Sequence, residues 1–321
     1  MFTIIEWLDN LFRKIRIKVT VNYHLSTVNE TMLTTAEILK KVRELEIKSK
    51  KITTDLFTGE YHSAFKGKGM SFREVREYYA GDDIRFIDWN VSARFGHPFS
   101  KVFEEERELT IMLLIDVSAS SLFGTIGARK KDIATEIAAV LSFSAINNAD
   151  KIGAILYSNK IEKYIPPKKG KQHALYIVRE LLSADSDKKG TDLTTALRYF
   201  NNTTRQKSIA FILSDFIDAN YNDALRVAAN KHDIIGIKLY DKMDRQLPNV
   251  GMLHIRDAET GKQKWIDTKS KLVRHKYEQE FFRVTDYCNE VFKKGGADLL
   301  HIRTDEDYVK VLKRFFISRN K

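Results

Sequence analysis

Cysteine is almost missing from this chain: Cys288 stands alone among 321 residues. That excludes an internal disulfide framework and fits a reducing compartment. Long apolar runs are missing too, and no stretch approaches the roughly 18 residues needed to cross a bilayer. The N-terminal MFTIIEWLDNLFRK carries Glu6 and Asp9 and has no basic start, long apolar middle or small-residue cleavage site, so it does not read as a secretory signal. The expected location is the cytoplasm. Signatures of several enzyme classes are also absent. No G-x-S-x-G elbow occurs, GTIGARK at 124–130 lacks the P-loop spacing, and the eight histidines have no H-E-x-x-H pairing. A phosphatase of the haloacid dehalogenase type needs a second aspartate two residues after its nucleophile, where this chain has Ser118. A catalytic role is therefore not expected.

What is present is enough for a large core: 43% of the residues are apolar. The net charge of +11 is unevenly spread. Residues 1–108 hold 18 Lys and Arg against 17 Asp and Glu, while 109–321 hold 36 against 26. The excess is scattered over helices and loops, densest in PPKKGK at 166–171. A nucleic-acid or anionic-surface binder using this basic region is one reading, and a solvated, solubilising face is the plainer one.

The stretch that organises the chain is IMLLIDVSAS at 111–120. Its continuous apolar run suits a strand buried on both faces of a parallel sheet, with the polar end emerging at the carboxyl edge. Two readings fit that end. Asp116, Ser118 and Ser120 form a hard-oxygen cluster suited to magnesium, and Asp and Ser also cap helices. Downstream, the apolar spacing predicts a helix over 130–148, strands at 152–158 and 161–167 close enough to form an antiparallel edge, and a helix over 171–184. A further helix opens at Leu193 with Thr191 or Asp192 near its cap. Buried strands follow at 208–216, ending in Asp215, and at 233–241, with a helix between them. The last third reads as a hairpin near 252–268, a long helix from Ser270 to Lys294, a strand at 295–304 and a closing helix. Strands and helices alternating in this way predict a doubly wound, mostly parallel α/β sheet.

The first third is read in pieces. Residues 1–50 form a helical extension, with apolar spacing from Ile38 to Leu45 behind a Thr34 or Thr35 cap; residues 1–31 lack a clear period, which raises the possibility of translation starting at Met32. Residues 51–108 form a separate β-rich segment, and 109–321 the α/β domain. Within 67–108, arginines such as Arg73, Arg76, Arg85 and Arg94 face Asp82, Asp83, Asp88 and Glu104–Glu106 in composition, with Gly81-Asp82-Asp83 as a turn. An ion-pair lattice and a docking surface are the two readings.

Asp116, Ser118 and Ser120 after the first strand, Thr191 before a helix and Asp215 at a strand end fall on the same edge of the predicted sheet. DxSxS followed by GTDL and a strand-terminal SD resembles the metal-ion-dependent adhesion site of von Willebrand factor A-like domains. The resemblance implies that the hydroxyls of Ser118, Ser120 and Thr191 hold magnesium, with manganese or calcium as substitutes. Asp116 and Asp215 would act through bridged waters, and a partner's carboxylate would complete the shell. Upstream, GKGMSFREVREYYAGDDIRFIDWNVSAR is similar to the signature of the bacterial family known as domain of unknown function 58; Arg76, Gly81, Asp82, Asp83, Arg85, Asp88, Trp89 and Arg94 carry that match. This resemblance implies a protein partner, a MoxR-type AAA+ ATPase or its client, in chaperone-like assembly or stress tolerance. Many members carry two membrane helices before the signature, so the chain is expected in a soluble subgroup.

Overall fold

The computed structural model describes residues 17–19, 35–57, 71–104, 108–122, 129–184, 190–218, 220–257 and 263–319. Six strands make the main sheet: β4 (Thr110–Asp116), β5 (Lys151–Tyr157), β6 (Ile161–Lys168), β7 (Ile209–Ser214), β8 (Asp233–Tyr240) and β11 (Asp298–Arg303). They lie in the order β11-β8-β7-β4-β5-β6. All neighbours are parallel except β5 and β6, so the antiparallel edge expected from the sequence is present. The order reverses direction between β4 and β7. In sheets of this kind that reversal opens a crevice beyond the carboxyl ends of the two strands.

The two-residue side-chain period of a strand explains why helices cover both faces. Ile111, Leu113 and Ile115 of β4 point to one side, against Ile133, Ile137 and Leu141 of α3 (Lys130–Asn147) and Leu312 and Phe316 of α9 (Tyr308–Arg319). Met112 and Leu114 point to the other. There they meet Leu197 and Phe200 of α5 (Leu193–Thr203), Leu225 of α6 (Asn222–Lys231), and Cys288 and Phe292 of α8 (Lys271–Gly295). The doubly wound α/β class read from the sequence is the observed one. Cys288 is a fully buried core residue.

Three further units dress this core. Helix α1 (Thr35–Phe57) runs through residue 50 and lays Val42 on Ala139 and Phe143 of α3 and on Ala174 and Val178 of α4 (Lys171–Ser183). The hairpin of β9 (Met252–Asp257) and β10 (Gln263–Asp267) is as expected in its strands, while its turn at 259–261 lies outside the described residues. β1 (Ile17–Val19) pairs antiparallel with β9. β2 (Ser71–Glu77) and β3 (Phe99–Glu104) pair antiparallel as a sheet of their own.

The β-rich expectation for this last segment needs correcting between its two strands. IRFIDWNVSAR reads as near-alternating, yet it forms a single 3-10 turn at Ile84–Phe86 and the helix α2 (Trp89–Phe95). The ends decide it. The Asp88 carboxylate accepts the N–H groups of Asn90 and Val91, and Gly96 takes the left-handed conformation (φ 75°) that closes a helix.

Candidate metal centre

Asp116 ends β4 at the carboxyl edge, where the chain turns into a 3-10 turn at Ala119–Leu122. The first Asp116 oxygen, Oδ1, accepts the Ser118 N–H at 2.9 Å, a local turn that folds the two serines back over the strand end. Oδ2 accepts the hydroxyl of Ser214 at 2.9 Å and that of Thr191 at 3.4 Å. Ser118 Oγ lies 3.0 Å from Ser120 Oγ and accepts from Thr191 Oγ1 at 2.9 Å. Four of the five expected residues therefore form one connected cluster. Asp215, one residue beyond β7, lines the same small cavity as Asp116 and Ser120. Its Oδ1 accepts the Ile217 N–H at 3.3 Å, and its Oδ2 faces the Lys130 ammonium at 3.4 Å.

These positions bear on both readings of DxSxS. Among the described residues, the α-helix that follows the serines begins at Lys130, and Ser118 and Ser120 instead bond each other across a 3-10 turn. Helix α5 is capped by Asp192, which accepts the Thr195 N–H at 2.9 Å and leaves the Thr191 hydroxyl to the cluster. The oxygen spacings suit a small octahedral cation. Magnesium–oxygen bonds of about 2.0–2.1 Å put neighbouring corners about 2.9 Å apart; Ser118 Oγ stands 3.0 Å from Ser120 Oγ and 2.9 Å from Thr191 Oγ1, hydrogen-bonded spacings that a cation could take over without widening the cluster. All three are neutral, so a dication would take its balancing charge from Asp116 and Asp215. The donor set present fits magnesium.

Three residues here were not singled out by sequence reasoning. Ser214 precedes Asp215 and ties β7 to the Asp116 carboxylate. Lys238, in the middle of buried β8, donates to the Asp215 carbonyl at 2.5 Å. Its signal is a lysine inside the otherwise apolar run DIIGIKLY. Lys130 is 3% exposed and sits between Asp244, at 3.0 Å, and Asp215. A cation in the first turn of a helix opposes the helix dipole, and the two carboxylates offset that cost. Burial alone would lower its pKa, but the Asp244 and Asp215 carboxylates together outweigh that and keep the ammonium charged. Tyr157, at the end of neighbouring β5, is pushed well above the ordinary phenol range by burial and then by the Asp116 charge.

The upstream residues lie on the β2–β3 unit. Arg76 pairs with Asp82 at 2.8 Å and stacks over Tyr79, and Arg85 pairs with Asp83 at 2.6 Å, which with the Arg85 N–H lowers the Asp83 carboxyl to about 2. Gly81 turns at φ 113°, and Asp88 caps α2. These contacts build the ion-pair lattice. Trp89, 70% exposed, and exposed Arg94 point outward from it. In the basic run, Lys169 pairs with Glu108 at 2.9 Å and Lys171 with Glu46 at 2.6 Å, so these lysines serve intramolecular pairs.

A family model described as protein of unknown function DUF58 matches residues 74–285, a span holding every residue discussed above from Arg76 to Asp244. The chain belongs to the DUF58 family. Uncharacterised proteins of Mycobacterium bovis and Mycobacterium tuberculosis are each 30% identical over 283 residues, covering 87% of this chain and 89% of the relative. The crystal structure of the conserved hypothetical protein BatB from Bacteroides thetaiotaomicron is similar over 66% of this chain and 98% of its own, at 15% identity and a TM-score of 0.44. A von Willebrand factor type A structure from Catenulispora acidiphila is similar over 70% of this DUF58 chain and 44% of its own, at 10% identity and a TM-score of 0.37. Among the described residues, no helix is long and apolar enough to cross a membrane.

Proposed function

We propose that this chain is a non-catalytic, magnesium-dependent protein-binding module of the cytoplasm. In this reading it acts with a MoxR-type AAA+ ATPase and grips an acidic side chain of that ATPase or of its client. The observation that carries the reading is the convergence of Asp116, Ser118, Ser120 and Thr191 at the reversal point of the sheet, with Asp215 on the same small cavity. A bound magnesium supplies an open coordination position for an incoming carboxylate. The chain's own part is to hold three neutral hydroxyls and two carboxylates in place. Asp116 does so by taking the Ser118 N–H and the Ser214 hydroxyl, which fix its carboxylate before any ligand arrives.

Capture of the purified ATPase by the tagged full-length chain tests the proposal. Magnesium is expected to support capture, and EDTA, Asp116→Ala or Ser118→Ala to abolish it while the fold persists by circular dichroism. Capture that is unchanged in both variants overturns the reading. Capture that survives EDTA but falls steeply with salt would mark a phosphate-type electrostatic contact instead.

A further inference from the structure

Next to the hydroxyl cluster lies a charge arrangement that cation binding alone does not require. Lys130 enters from the first turn of α3 with its side chain 4% exposed, and its ammonium is shared between two carboxylates from different elements. One is Asp215, at 3.4 Å, which borders the cavity shared with Asp116 and Ser120. The other is Asp244, at 3.0 Å, in the short helix α7 (Lys242–Arg245). Asp244 is held firmly. It accepts the Asp241 N–H at 2.7 Å, and Tyr277 anchors α7 by donating to the Met243 carbonyl at 2.9 Å. Asp215 is held by Lys238 on its carbonyl and by the Ile217 N–H on Oδ1, while its Oδ2 faces the ammonium.

A dication at the cluster and the Lys130 ammonium draw on the same Asp215 carboxylate, and they repel each other in a site where little water screens them. The ammonium already has its nearer partner in Asp244, at 3.0 Å, and can stay there. We infer that Lys130 is a positioning residue that sets the cation affinity of this site, bridging Asp244 and Asp215 and, when a cation binds, giving up Asp215 while keeping its nearer partner Asp244. The inference rests on the metal-site reading proposed above. It gives α7 a share in metal binding although none of its residues is a ligand.

Isothermal titration of the full-length protein with magnesium chloride, repeated with manganese chloride, tests this. Lys130→Gln removes the competing charge and is expected to tighten binding by about tenfold or more. Asp244→Asn removes the alternative partner, confines the ammonium to Asp215 and is expected to weaken binding by about the same factor. Lys130→Arg keeps the charge and should stay near wild type. General loosening of the fold would shift both neutral variants the same way, so opposite signs are the diagnostic. Shifts in one direction, or both smaller than about twofold, overturn the inference. If Lys130→Gln does not fold, unchanged or tighter binding by Asp244→Asn is enough to overturn it. Wild type that binds with Lys130→Gln unchanged sinks this inference and leaves the metal site standing. Absence of binding in wild type and in Lys130→Gln sinks both.

Discussion

Asp150 sits at the turn between α3 and β5, fully buried, with Oδ1 accepting the Leu109 N–H at 2.9 Å and Oδ2 without a hydrogen-bond partner. Burial, only partly offset by that N–H, pushes its carboxyl up to about 7. A folded-state pKa above the unfolded one means the contribution is fully present below the unfolded pKa and is lost as pH rises through 7. His232 has the opposite sign. It is buried with Nδ1 2.9 Å from the Ser208 hydroxyl, and burial lowers it to about 4, so its contribution is lost as pH falls from its ordinary value through 4. The two oppose each other over much of the same range. Asp150→Asn removes one side of that balance. Its advantage over wild type should be about 2–4 kcal/mol larger at pH 8 than at pH 4, measured by chemical denaturation at each pH. Residues of the cluster were legible at this scale because Asp116, Ser118, Ser120, Thr191 and Asp215 all stand at the ends of strongly patterned elements. Lys130 was not, since one of two adjacent lysines at a helix start looks like solvated surface until its acids, 85 and 114 residues away in sequence, are placed beside it.

Helix α2 is an element whose existence depends on its ends. Its seven residues are too few for a helix to persist on propensity alone. Asp88 provides the cap, Ser92 donates to the Asp88 carbonyl at 2.7 Å and accepts the Phe99 N–H at 2.8 Å, and Asp88 N–H bonds the Phe99 carbonyl, stitching the helix to β3. Asp88→Ala should cost about 1 kcal/mol locally. The expected readout is faster amide exchange at 91–95 with little change in the global melting temperature; unchanged exchange would mean that the cap is dispensable. The sequence pattern misled here because alternation was read before the end signals, although D-W-N-V and F-G-H carry both. The strands and helices of the main sheet were legible for the converse reason. Each is a long run whose apolar period matches its own geometry, as in the fully buried β7 and in α5.

Across the whole molecule, α1 works as a clamp over the outer helices. Val42 closes the patch of Phe143, Ala174 and Val178, Lys48 reaches Glu136 at 2.5 Å, and Glu46 reaches Lys171 at 2.6 Å. Val42→Asp buries a charge without a partner and should unseat the helix, at a cost of about 2–3 kcal/mol. Limited trypsin digestion is expected to cut within 40–48 in the variant while leaving the sheet intact; equal resistance would refute the clamp. Long-range closures of this kind leave little trace in sequence. The pairing of Ile17–Val19 with Ile255–Asp257 joins three residues to partners more than 230 positions away, and no local period announces it. The outer strand β6 carries one more consequence. Pro166 and Pro167 are adjacent, so whichever way the pleat runs, one missing N–H falls on the open side of the sheet. On the inner side the backbone crowds Gly153, where a Cβ would stand 2.8 Å from the Ile165 carbonyl oxygen and 2.9 Å from the Pro167 nitrogen. That margin is a broken template. In a crowded cell, a stray strand from another polypeptide finds no continuous ladder there to copy, and runaway stacking of this protein into fibres is stopped on that flank before it starts.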